Sequence, residues 1–151
     1  MGTIFEDVKT SSEWIAKALL SSGYNIDFSP SSLWEIDRFF DEHTQSGTPI
    51  SGGLLSEDMG SRLFAIGSYI GEVVIRSKGG EWIGDDSDPQ VEMNIELLLS
   101  DDVRCWPVQR AMKRMKNGSE DGIAVYGDAL GLDVGQRPEQ KQKNPWWRFG
   151  K

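Results

Sequence analysis

Acyl-transfer or hydrolytic chemistry needs a base beside its nucleophile, and the 151-residue chain offers only one histidine, His43, and one cysteine, Cys105, for such work. His43 follows a helical period among acids, a place where a cation steadies a helix end. Cys105 falls at a strand position, the setting of a small buried hydrophobe. One Cys and one His do not make a zinc site. Asp85, Asp86 and Asp88 suggest a calcium loop at first, but a frame that starts at Asp85 puts Gln90 where the sharp turn needs glycine. Its closing Glu96 belongs to a strand pattern, so these acids read as a turn with solvated carboxylates. Gly52-Gly53 and Gly79-Gly80 lack the strand-to-helix setting of a phosphate loop. No metal and no cofactor are expected. What is left is tryptophan among carboxylates, the composition of many protein-binding hot spots. Trp34 neighbours Asp37, Asp41 and Glu42 along a helix, and Trp106 lies on the strand face opposite Cys105, with Asp85 and Asp86 a second acidic group. These seven are the expected partner-binding residues, against the competing reading that the tryptophans simply pack. A small enzyme in which Glu72 converges with Asp85 or Asp86 is the alternative, and a structural or adaptor subunit a third.

The elements that position these residues follow from hydrophobic period. The longest helical stripe is Met59, Leu63, Ile66, Ile70 and Val73, which predicts a buried central helix over about 56–78, with Ser56-Glu57-Asp58 at its start and Arg76, Lys78 and Gly79 at its end. Gly60, Gly67 and Gly71 each cost roughly 1 kcal/mol against alanine in a helix, which implies a neighbour too close for a side chain. A first helix starts at Thr3 or Thr10, each followed three residues later by Glu, and carries Ile4, Val8, Ile15 and Leu19 on one face, with Ser11 or Ser12 filling the gap. A second starts at Ser32 with Glu35 and buries Leu33, Ile36, Phe39 and Phe40. Residues 44–53 read as the longest internal loop. Alternation from Val91 to Leu99 gives the clearest strand, flanked by short strands at 81–84 and 103–106. Pro107 opens a helix with Arg110, Lys113, Arg114 and Lys116 outside, and Ser119-Glu120-Asp121 caps the last helix. The expected fold is α+β: one domain over 1–132, with helices packed on a small antiparallel sheet of about three strands. Residues 133–151 form a linker and an aromatic tail, Pro145-Trp146-Trp147-Arg148-Phe149, expected to dock on its own body or on a second copy.

Charge narrows the class of partner. Residues 1–58 carry a net −7, residues 59–135 a net −5 and residues 136–151 a net +4, together the −8 of the whole chain. An acidic body repels phosphates, so nucleic acid is not an expected partner, whereas a basic protein is. The apolar runs fall far short of the roughly 20 residues that cross a bilayer. With no basic-then-apolar leader and a lone cysteine, a soluble cytoplasmic protein is expected.

Gly67-Ser68-Tyr69-Ile70-Gly71-Glu72, then Gly80-Glu81-Trp82, then Trp106-Pro107 and Asn117-Gly118-Ser119-Glu120-Asp121 resemble a group of small bacterial domains over residues 56–130. In these a helix with a G-x-Y-x-G-E motif leads to a strand bearing Trp and then to a Pro-led helix. Some comparable acidic proteins look like immunity proteins that block a toxin. The resemblance thus implies a non-catalytic binder of the immunity or inhibitor type, facing a basic toxin or enzyme, and carries over no functional residues. Reversal of charge at Asp37, Asp41 and Glu42 is then expected to weaken binding and leave stability nearly intact.

Overall fold

The computed structural model describes residues 3–138, which fold into one small α+β domain. Helix α1 (Ile4–Ser21) starts at Thr3, whose hydroxyl accepts the Glu6 N–H at 3.2 Å. Thr10 lies within the same helix. Ile4, Val8, Ile15 and Leu19 are buried, and Ser12 fills the gap, its hydroxyl donating to the Lys9 carbonyl at 2.9 Å. The helix stops where Gly23 adopts a positive φ of 93°, which lets the Tyr24 N–H return to the Leu19 carbonyl at 3.0 Å.

Helix α2 (Leu33–His43) buries Leu33, Ile36, Phe39 and Phe40 as its period requires. Its start differs from expectation: Ser32 ends a 3₁₀ turn, Pro30–Ser32, and makes no cap. Its hydroxyl instead meets the Ser29 carbonyl and the Tyr69 hydroxyl, both at 2.6 Å, while Glu35 takes the Asn25 N–H and Arg38. The segment read as a long loop opens with a hairpin. Strands β1 (Thr44–Gln45) and β2 (Thr48–Pro49) pair around Ser46-Gly47, whose positive φ values of 53° and 81° suit a two-residue turn.

Helix α3 (Met59–Lys78) is the centre of the molecule, buried without a break from Leu63 to Gly71 and again at Val73 and Val74. Helices α1 and α5 (Pro107–Asn117) pack along it. It starts three residues later than Ser56 because Leu54–Ser56 forms a 3₁₀ turn and Asp58 takes a left-handed φ of 49°. Two of the three glycines do what their presence implied. A Cβ on Gly67 would lie 2.8 Å from the Val108 backbone nitrogen and closer still to its Cα, and a Cβ on Gly71 would run into the Trp82 ring. Gly60 has open space around it, and Met59 at the head of the stripe is exposed, so the packed part of the helix begins at Leu63.

Strands β3 (Gly80–Ile83), β4 (Glu96–Leu99) and β5 (Arg104–Cys105) form an antiparallel sheet in chain order, with Trp82 opposite Leu97 and Leu97 opposite Cys105. The long strand expected from Val91 is shorter. Residues Val91–Asn94 make a single helical turn, α4, because the Asp88 carboxylate takes the Gln90 N–H at 2.9 Å and the Asn94 amide at 3.1 Å. Only from Ile95 does the alternation bury one side, at Ile95, Leu97 and Leu99. Helix α6 (Ile123–Ala129) also starts differently: residues Gly118–Asp121 are a 3₁₀ turn, and no side chain among Ser119, Glu120 and Asp121 caps the helix. Arg114, expected outside, is buried. The aromatic tail lies outside the described residues.

Candidate functional site

The structure divides the seven expected residues into two groups. On α2, Asp37 faces inward. Its Oδ1 accepts the Arg114 Nε–H at 2.9 Å and the Ile123 N–H at 2.8 Å, and its Oδ2 accepts the Ala124 N–H at 2.9 Å. It is therefore the missing cap of α6, supplied from a distant helix. Asp41 accepts from Arg114 Nη2 at 2.7 Å, and Glu42 accepts the Tyr24 hydroxyl at 2.5 Å with Arg38 at 3.5 Å. Trp34 is half-buried and donates its indole N–H to the Val134 and Gly135 carbonyls at 3.1 and 3.3 Å. Each polar group of this set has a partner inside the molecule. The triple charge reversal expected to spare stability would break the Asp37 contacts, so that expectation is corrected.

The second group is different. Asp86 accepts the Ile4 N–H at 2.7 Å, which joins the turn at 85–88 to the first turn of α1, where Glu6 and Asp7 are exposed. Gly84 sits against Ile4, Val91 and Ile95, so α4 with Glu92 and Met93 lies beside the same corner. The Gln109 amide reaches the Met93 carbonyl at 3.3 Å, and Trp106 is one turn before Gln109 at the start of α5. The result is a surface with Glu6, Asp7, Asp85, Asp86, Asp88 and Glu92, none of them in an ion pair among the described residues. Three exposed apolar side chains interleave with it: Phe5 at 42%, Met93 at 42% and Trp106 at 41%. Isolated exposed hydrophobes need no explanation, but a group among unpaired carboxylates is the make-up of a binding surface. Ser87 donates both its hydroxyl and its backbone N–H to Asp85, and these bonds, the hydroxyl's foremost, hold the Asp85 carboxyl below its usual range. A carboxylate held ionised suits attraction of a cation and not general-acid work.

Glu72, the other carboxylate of the enzyme reading, accepts the Trp82 indole N–H at 3.0 Å. Cys105 is buried, and burial pushes its thiol up, away from the reactive thiolate. His43 stacks on Phe39 with ring centroids 4.4 Å apart. Burial holds its pKa below the ordinary imidazole value, against the opposing pull of Glu42. The neutral ring is therefore the folded form, and as pH falls below about 6.5 the unfolded chain takes up the proton first, so stability declines. His43→Gln is expected to give a flatter stability profile between about pH 6.5 and 5 in urea titrations; an unchanged slope would remove His43 as its cause. Among the described residues no group of three His, Cys, Asp or Glu could hold a metal ion, and no helix is long and apolar enough to cross a membrane.

A feature the sequence reading missed is a groove of about 320 Å³ between α1 and the head of α3, lined by Thr10, Ser11, Trp14, Asp58, Ser61 and Arg62. The available signal was Trp14, a large aromatic off the Ile4-Val8-Ile15-Leu19 stripe and therefore on the wet side of its helix.

No family model matches the chain, and no curated protein or solved structure matches it. The motif residues that carried the resemblance to small bacterial domains have packing roles. Gly67 admits Val108, Gly71 and Glu72 hold Trp82, Tyr69 bonds Ser32 and the Phe28 N–H, and Asp121 pairs with Arg110 at 2.8 Å. They describe how the domain is held together and name no chemistry.

Proposed function

We propose that the chain is a non-catalytic binding protein of the immunity or inhibitor type, working in the cytoplasm, that occupies a basic toxin or enzyme. The observation that supports this reading is the corner where α1, the 85–88 turn and α4 meet. Its six carboxylates have no ion-pair partner among the described residues, whereas Asp37, Asp41, Glu96, Asp101 and Asp121 are neutralised within the fold. Uncompensated surface charge of one sign steers an oppositely charged partner, and the exposed Phe5, Met93 and Trp106 supply apolar area at the point of contact. In this reading Trp34, Asp37, Asp41 and Glu42 support the fold, and Asp85, Asp86 and Trp106 meet the partner.

The partner is sought by pull-down from the native host, and its association is then measured by stopped flow across a salt series. Asp85→Lys combined with Glu92→Lys is expected to slow association by on the order of tenfold at low salt and to flatten the salt dependence. Both positions are exposed, so the melting temperature stays nearly unchanged. Trp106→Ala is expected to act on dissociation instead. An association rate indifferent to salt and to the double reversal would exclude this surface.

A further inference from the structure

The groove between α1 and α3 lies outside the acidic corner and has a chemistry of its own. One wall is Trp14, 46% exposed, with the Arg62 guanidinium 5.5 Å from its ring centroid. Arg62 gives one nitrogen, Nη1, to the Leu54 carbonyl at 2.6 Å, and its other N–H groups have no acceptor among the described residues. Asp58 occupies the N-cap position of α3, yet its carboxylate makes no capping bond and no ion pair. The hydroxyls of Thr10, Ser11 and Ser61 complete the lining, and Ala65 closes the floor.

We infer that this groove is a binding site for a neutral saccharide of one or two rings. Asp58 and Arg62 carry opposite charges one helical turn apart and do not pair, so the site is neutral on balance and gives a charged ligand no net attraction. A planar carboxylate and a planar guanidinium do suit vicinal hydroxyls, which donate to one and accept from the other in bidentate fashion. The Ser and Thr hydroxyls can act in either sense. An indole with its face in the groove takes the C–H face of a pyranose, whose partly positive hydrogens meet the negative π surface. The volume of about 320 Å³ lies at the small end of ligand sites. All the walls belong to two long helices packed against each other, so the site is preformed.

The test is ligand-observed saturation-transfer NMR on the full chain with maltose, cellobiose and chitobiose at millimolar concentration. Transfer to the ring C–H protons of at least one disaccharide is expected, saturable and abolished by Trp14→Ala. Trp106→Ala should leave it intact, because Trp106 is at the start of α5 and lines no part of this groove. Asp58→Asn keeps the shape and is expected to weaken binding on the order of tenfold. Melting curves establish that each variant is folded. The proposal is overturned by an absence of transfer to all three sugars, by transfer that survives Trp14→Ala, or by preferential binding of free zwitterionic amino acids in a parallel titration.

Discussion

Gly67→Leu is expected to destabilise the domain by about 3 kcal/mol or more, the upper end of what overpacking a core costs. The obstacle is backbone: a Cβ alone would collide with the Cα and nitrogen of Val108, and no rotamer change moves those atoms. Helix α5 would have to shift as a body, withdrawing Val108 and Ala111 from the two buried clusters they join. Gly71 meets a side chain instead. The Trp82 ring could swing away, at the expense of its 3.0 Å bond to Glu72 and its half-buried packing, so Gly71→Ala should be milder than Gly67→Ala. Gly60 supplies the control. With nothing within 4 Å, Gly60→Ala is expected to be neutral or to stabilise by up to about 1 kcal/mol through helix propensity. Urea midpoints for the three alanine variants should rank Gly60, Gly71, Gly67 from most to least stable. A Gly67→Ala midpoint equal to that of the parent would mean that α5 does not cross α3 at this point.

That α3 is the centre of the fold was legible because its period and its glycines are local signals that agree. The apolar set of α2 and the alternation from Ile95 to Leu99 were legible for the same reason. What escaped were contacts between residues far apart in sequence. Asp86 caps α1 from 82 positions away and Asp37 caps α6 from 86, while Ser32 and Ser119, which have the right local spacing for caps, do not act as such. Capping preference is set by whichever oxygen reaches the free N–H groups, and tertiary structure can bring a better one than the chain offers nearby. Arg114 was misplaced by the same mechanism. Period alone puts it on the wet side of α5, but α2 covers that side and supplies the carboxylates that let a guanidinium be buried. The candidate site divided along this line: carboxylates with a distant internal partner joined the core, and those at the α1–α4 corner remained on the surface.

Asp37→Asn tests that division most severely, with an expected loss of about 3–5 kcal/mol, the range for removing one partner of a buried ion pair. Arg114 is only 2% exposed, so without the Asp37 charge its guanidinium would keep the cost of burial and lose its closest counter-ion. The asparagine can retain one carbonyl acceptor for the N–H groups of Ile123 and Ala124, but its amide would face Arg114 or one of those N–H groups with a donor. Asp41 cannot compensate, since its side chain is 42% exposed and holds Arg114 from the rim; Asp41→Asn should cost no more than about 1 kcal/mol. Arg114→Met should be milder than Asp37→Asn, because Asp37 would still hold the start of α6 through two backbone bonds. The double variant Asp37→Asn with Arg114→Met should then be more stable than Asp37→Asn alone, as methionine fills the volume without a charge to satisfy. Chemical denaturation of the four chains closes the cycle. Strict additivity of the two changes would show that the pair does not interact and that Asp37 acts on α6 alone.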